Sequence, residues 1–234
     1  MKIKLMDIPW DKEGIFIDRP NRFLGVVNID GEIMKVHIHD PGRLKEILYS
    51  GNRVLLRYAP SKNRKTSWDL LAGKVESQWV FVHSGFHRKF AEKIFSTPGV
   101  SPLKDVIELR AEVSYNRSRL DFLITTSNKE RIWIEVKGCT LAKNGVALFP
   151  DAPTTRGKRH IEELIQLRER GERAAIIVLV FRCDVNCFAP NCETDPEFCR
   201  TFFKGIERGI EIYPLVLKYE RGKVFYIHRI SVCK

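Results

Sequence analysis

The chain has 234 residues, 44% hydrophobic and 29% charged, with a net charge of +11 and a pI near 9.5. This balance describes a folded chain with a sizeable core and argues against disorder. No run approaches the ~20 apolar residues of a membrane span, and Asp7 and Asp11 interrupt the N-terminus before a signal-peptide core forms, so a cytoplasmic protein is expected. The charge excess is +4 over residues 1–80 and +7 over 81–234. Spread over both halves, it points to a polyanionic partner, nucleic acid above all.

In chain order, residues 1–82 read as short strands. GIFIDRP, RFLGVVNID and EIMKVHIH alternate or run apolar, with an Asp30-Gly31 turn between two of them. DPGRLKEIL reads as one or two helical turns, with Asp40 as N-cap and Pro41 at N1. RVLLRY and TSWDLLAGKVESQWVFVH add strands. Several strands broken by one short helix suggest a small barrel of the OB type.

From residue 83 the pattern changes. SGFHRKFAEKIFS carries Phe86, Phe90 and Ile94 at helical spacing, with Ser84 as its expected cap. AEVSYNRSRLDFLI and IWIEVKGCTL follow as strands, and an Asn144-Gly145 turn leads to VALF. A helix is expected from Pro153 to Gly171, and AAIIVLVF reads as a strand buried on both faces. Thr194-Asp195-Pro196-Glu197 opens another helix, and IEIYPLVLKYE and KVFYIHRI close the chain as strands. Residues 83–234 thus form an α/β unit on a mixed sheet.

Six cysteines are present, four of them at Cys183, Cys187, Cys192 and Cys199. Their gaps lack the paired C-x2-C of common zinc sites, so free thiols or local disulfides are expected. With only two glutamines, Gln78 and Gln166, the composition leans toward a thermophile, where intracellular disulfides occur.

The chemistry concentrates in RLDFLITTSNKERIWIEVKG, where Asp121, Glu135 and Lys137 stand inside two otherwise apolar strands. An odd-length loop centred on Asn128 sets Asp121 directly opposite Glu135. Glu135 and Lys137 share a face by period-two alternation, and Asp121 joins them across the ladder at about 5 Å between Cβ atoms. Leu120, Phe122, Ile134 and Val136 take the other face. Two adjacent carboxylates repel unless a cation compensates. Mg²⁺ (or Mn²⁺) suits one or two carboxylates plus water and phosphate, and Lys137 beside them can position an attacking water. The pattern fits metal-assisted phosphodiester hydrolysis; a bland cross-strand ion pair is the competing explanation.

Asp121 with Glu135-Val136-Lys137 resembles the core of the PD-(D/E)xK nuclease superfamily, although Leu120 stands where the name has proline. HDPGRL (39–44), RKTSWDL (64–70), SRLDFL (118–123), IEVKGCTL (134–141) and ALFPDAPTTRGKRHIEEL (147–164) resemble the sugar fermentation stimulation protein family. That resemblance implies an N-terminal OB-like β-barrel (1–82) and a C-terminal restriction-endonuclease-like α/β domain (83–234). It implies DNA binding as well, and regulation of sugar (maltose-type) metabolism. A non-catalytic regulator binding DNA with little sequence preference is therefore the alternative to a nuclease. Related nuclease folds often draw a third carboxylate from the first helix of the α/β domain, which makes Glu92 a metal candidate, and Glu112 resembles a family position.

Basic residues complete the expectations. Arg156, Lys158 and Arg159 lie at a helix N-terminus, where free backbone N–H groups help hold phosphate; His160 shares a face with Arg156. Cations there oppose the helix dipole, which favours a functional reason for them. In the barrel half, Arg43 is a phosphate candidate, and Lys62, Arg64 and Lys65 beside Trp68 combine charge with a surface for base stacking. Solvated charge and an ordinary core tryptophan are the plainer explanations.

Overall fold

The computed structural model describes residues 2–61 and 64–233. The first seven strands are β1 (Ile3–Asp7), β2 (Lys12–Asn21), β3 (Leu24–Ile29), β4 (Glu32–His37), β5 (Arg53–Tyr58), β6 (Trp68–Val75) and β7 (Gln78–Phe81). Strand β2 pairs antiparallel with β3 and β5, β3 with β4, and β5 with β6. A short parallel ladder, Val36↔Trp68 and His37↔Asp69, joins β4 to β6 and closes a five-stranded barrel. Closure removes the exposed edges that an open sheet of these strands would present. Asp30 and Gly31 take φ of 54° and 94°, the left-handed pair that a tight hairpin with the strands' own twist requires.

Residues 40–50 form turns rather than the expected helix. Asp40 Oδ1 accepts from Gly42 N–H at 2.8 Å, a local turn instead of a helix cap. Leu44 has φ of +50°, which breaks helical geometry. The Arg19 guanidinium fixes the loop by donating to the carbonyls of Arg22, Asp40, Gly42 and Arg43.

Beyond a 3-10 turn at Ser84–Phe86 lie α1 (His87–Phe95), β8 (Val106–Tyr115), β9 (Ser118–Thr126), β10 (Arg131–Cys139), β11 (Leu141–Lys143) and β12 (Val146–Phe149). The chain closes with α2 (Thr155–Glu169), β13 (Arg173–Val180), β14 (Cys187–Pro190), α3 (Pro196–Glu207), β15 (Glu211–Glu220), β16 (Lys223–Arg229) and β17 (Ser231–Val232). Thr154 Oγ1 caps α2 by accepting from Gly157 N–H, and Asp195 caps α3 through Phe198 N–H. Ser84 caps nothing; its hydroxyl donates to the His39 carbonyl of the barrel.

The mixed sheet runs β7-β15-β13-β10-β9-β8, with β13 parallel to β10 and β15 and the outer pairs antiparallel. All but the first residue of β13 are buried, as its continuous apolar run predicts. One face packs on α1 and the barrel through Phe90, Ile94, Phe122, Ile132 and Ile134. The other packs on α2 and α3 through Leu123, Trp133, Leu164, Phe198 and Phe202. Two strands tie the halves together: β1 pairs with β16, and β7 pairs with β6 and β15. Phe81 of β7 is fully buried, with the rings of Phe86, Phe90, Phe181 and Tyr219 centred 5.3–5.8 Å away. Burying such a side chain contributes roughly 1.5–3 kcal/mol, spent here on joining barrel to sheet.

A small second sheet, β11-β12-β14-β17, lies beside the main one. Cys192 is bonded to Cys199 and Cys187 to Cys233, while Cys139 and Cys183 are free. The first bridge is the local kind that the spacing suggested. The second anchors the C-terminal strand across 46 residues and joins two segments that are distant in sequence. Among the described residues no helix is long and apolar enough to cross a membrane.

A candidate carboxylate site between two diverging strands

Strands β9 and β10 pair in the register Phe122↔Ile134, Leu123↔Trp133, Ile124↔Ile132. The loop closes symmetrically about Asn128, with Thr126 N–H donating to Glu130 O. This register sets Asp121 opposite Glu135, but the ladder ends one residue earlier. Where the next rung would form, Asp121 Oδ2 accepts the Val136 N–H at 2.7 Å. The carboxylate thus takes a backbone donor that the splayed strands would otherwise strand.

The cause of the splay lies in β8. The pairs Ala111↔Phe122 and Val113↔Leu120 leave Glu112 level with Asp121, and Glu112 has φ of +55°. A left-handed residue inside a strand turns it over. Accordingly Leu109 and Ala111 pack on the α1 face, whereas Val113 and Tyr115 pack on the α2 face. Leu120 follows them to the α2 face, away from Phe122, Ile134 and Val136. That corrects the expectation that all four share one side: strict alternation fails where the strand is kinked.

Glu135 is 3% exposed on the α2 side. Its Oε1 accepts from Lys137 Nζ at 2.6 Å and from His160 of α2. Arg156 Nε donates to His160 Nε2 at 3.3 Å, so the proton of a neutral imidazole sits on Nδ1 and points to Glu135. Glu135 Oε2 is buried with no hydrogen-bond partner among the described residues. Burial alone would raise the Glu135 pKa, but Lys137 and His160 outweigh it and hold the acid below its ordinary value. Asp121 is pushed the other way, up to about 6, first by burial and then by the charge of Glu135. Gly138, the next residue, could carry no side chain: a Cβ there would lie 2.2 Å from the His87 ring.

The remaining sequence candidates distribute unevenly. Glu92 pairs with Arg88 at 2.9 Å, and Glu112 with Arg88 and Arg119 at 3.5 and 3.3 Å. Neither joins Asp121 and Glu135 in a group of three ligand atoms within 4.8 Å among the described residues. His160 is 2% exposed and bonded to Glu135, which corrects its placement on a phosphate-gripping surface: it stands behind the carboxylate. Lys158 pairs with Glu197 at 2.7 Å, and Arg159 Nε donates to Ser118 Oγ. Arg43 and Lys65 are exposed, and Arg64 is held by Asp69 and the Ala59 carbonyl. Trp68 lies against Tyr58, with ring centroids 5.1 Å apart, and packs partly on the core. Lys62 lies outside the described residues.

A cleft of about 520 Å³ separates the halves beside this site, lined by Arg22, Pro41 and Gly42 from the barrel and by Thr140, Phe149 and Arg156 from the α/β side. Asp151 closes one wall: its Oδ2 accepts from Leu44 N–H at 3.2 Å and leaves no room for a side chain at Gly42.

A closed barrel followed by a mixed α/β sheet defines a two-part protein, an OB-type barrel joined to an α/β unit. The SfsA N-terminal OB domain matches residues 17–82, and the sugar fermentation stimulation protein RE domain matches residues 85–223. Sugar fermentation stimulation protein homologs are similar along the whole chain. That of Methanococcoides burtonii is 45% identical over 98% of this chain and 95% of its own. That of Methanothermobacter thermautotrophicus is 43% identical over 94% and 92%. The structure of Pyrococcus furiosus SfsA in complex with Ca²⁺ superposes with a TM-score of 0.91 at 31% identity, covering 99% of this chain and all of that one. The chain belongs to the sugar fermentation stimulation protein family.

Proposed function

We propose that the protein binds DNA and hydrolyses its phosphodiester bonds with a divalent cation held by Asp121 and Glu135. One observation carries the reading: two adjacent carboxylates, Asp121 half-buried and Glu135 buried with an orphaned oxygen, share a face with a lysine. An unpaired buried carboxylate oxygen costs free energy that a cation would offset. The donor set is hard oxygen, which suits Mg²⁺ or Mn²⁺. Ca²⁺, present in the complex of the Pyrococcus furiosus relative, is a cation of the same hard class. Glu92 becomes a further ligand only if Arg88 releases it, and Glu112 only if Arg88 and Arg119 both do.

When bound, the cation supplies positive charge that polarises the phosphate and lowers the pKa of a bound water. The chain's own groups do the rest. His160 holds the Glu135 carboxylate in one orientation and is itself fixed by Arg156, which also lines the cleft. Lys137 Nζ, resting on Glu135 Oε1, carries the proton donors that orient an attacking water or stabilise a charged phosphate oxygen. The cleft admits the strand, and exposed Arg43 and Lys65 add phosphate contacts with little base preference.

The test is cleavage of single- and double-stranded DNA with Mg²⁺, with Mn²⁺ and with EDTA. Metal-dependent cleavage supports the enzyme; binding with no cleavage under any metal leaves the sugar-metabolism regulator. The family description, sugar fermentation stimulation, is what favours that second reading.

A further inference from the structure

The segments HDPGRL and RKTSWDL meet at a place that phosphodiester chemistry does not use. His39 and Asp69 come from them, and His83 from the end of the barrel half. His39 Nε2 lies 3.0 Å and His83 Nε2 3.7 Å from the two Asp69 oxygens, and one ligand atom from each residue falls within 4.8 Å of the others. The imidazoles stack at 3.6 Å between centroids. Asp69 is 2% and His83 5% exposed, and neither ring nitrogen of His83 has a hydrogen-bond partner among the described residues. A buried imidazole with both nitrogens idle is costly and calls for a ligand. Gly85 runs against the His83 ring, where a Cβ would approach its Cε1 to 3.0 Å, so the backbone itself covers the group.

We infer that His39, Asp69 and His83 form a second metal site, for a divalent transition-metal ion of the zinc type. Two imidazoles and one carboxylate select a borderline ion over Mg²⁺ or Ca²⁺, whose preference is for oxygen. The set leaves positions open for water. Binding takes the neutral His39 tautomer that carries its proton on Nδ1, which frees the Nε2 lone pair as the ligand. Both Nε2 atoms already face the carboxylate, and the His39 side chain, 27% exposed, has room to adjust its ring to an ion.

The site has a resident competitor. Arg64 donates to Asp69 Oδ1, and Arg57 stands 3.3 Å from Oδ2. Arg64 also borders the open pocket of His37, His39 and Lys65, so it can leave the carboxylate for solvent. Cation and guanidinium therefore contend for one oxygen. Loss of Arg64 should strengthen metal binding, whereas loss of any ligand should abolish it.

The experiment is titration of the full chain with Zn²⁺ and, for its visible spectrum, Co²⁺, in excess Ca²⁺ to occupy hard-oxygen sites. One equivalent should bind. His39→Ala and Asp69→Asn should lose that equivalent, and Arg64→Gln should bind about two- to fivefold more tightly, the size of a partly exposed ion pair removed. Circular dichroism confirms folding, and His39→Ala, altering a partly exposed side chain, keeps the test valid if Asp69→Asn unfolds. The inference fails if the wild-type chain binds no equivalent, if binding survives His39→Ala, which would point to Cys183, or if Arg64→Gln weakens it. DNA cleavage is not the readout, so the outcome is independent of the nuclease reading.

Discussion

Asp69 in the barrel and Asp121 in the mixed sheet are both carboxylates set into strands beside an imidazole or an acid, yet their surroundings pull in opposite directions. Burial would raise Asp69, but hydrogen bonds with His39 and Arg64 and the nearby His83 ring overcome it and hold the acid far below its usual range. Asp121 has one backbone donor and faces Glu135, and it rises to about 6. Burial alone therefore says little about a carboxylate's role. The count and sign of its neighbours decide whether it anchors the fold or waits for a cation.

The sharpest break of this contrast is catalytic. Glu135→Ala and Lys137→Ala should each lower Mg²⁺-dependent cleavage by about 10²–10⁴-fold while DNA binding largely survives. Cleavage and binding measured on the same preparations, with and without EDTA, check it. Unchanged cleavage in both variants would locate the activity elsewhere.

Stability separates the two aspartates next. Asp69→Asn leaves Arg57 and Arg64 without their shared carboxylate and should cost about 3–5 kcal/mol in denaturant unfolding. Asp121→Asn, assayed in EDTA, should be neutral or stabilising. The sign follows from the raised pKa. Between about 4 and about 6 the folded chain holds a proton that the unfolded chain has lost, so stability falls as pH rises through that window. The gain from Asp121→Asn should therefore be larger at pH 8 than at pH 4. Equal losses for both variants would erase the distinction.

His160→Ala removes the donor behind Glu135 without touching the cleft wall. A loss of about 10–100-fold in metal affinity or rate is expected, as for other groups that orient a ligand. Calorimetric Mn²⁺ titration distinguishes this from direct phosphate contact, which would change DNA affinity and not metal affinity. The smallest effect concerns the basic surface. Arg43→Ala and Lys65→Ala should each reduce the salt dependence of duplex binding by about one counterion, with little change in sequence preference. Fluorescence anisotropy from low to moderate salt reads this directly, and an unchanged slope would remove them from the interface.

Much of the architecture was legible because it rests on local chemistry. Asp30-Gly31 and Asn144-Gly145 tolerate left-handed backbone, so they mark hairpins. Asp195 with Pro196 marks the start of α3, and the run AAIIVLVF must lie between two layers; the helix expected from Pro153 begins two residues later, at Thr155, capped by Thr154. The loop around Asn128 is symmetric, so the register that sets Asp121 across from Glu135 could be counted from sequence. The expected helix at 40–48 failed because Arg19, distant in sequence, gathers that loop's carbonyls into turns.

What the amino-acid order could not decide was which groups would share one carboxylate. Glu112 is not a residue type that favours positive φ, yet its left-handed backbone turns β8 over and exposes Asp121; only packing on both faces of the sheet imposes that. His160 looked like a phosphate contact by its basic neighbours, and the docking of α2 carried it inward to Glu135. His39, Asp69 and His83 are separated by 30 and 14 residues and share no spacing rule; barrel closure through β4 and β6 brings them together. Pattern and turn chemistry act over a few residues and are written in the chain. The electrostatics of a site depend on distances that only the closed barrel and the packed sheet create.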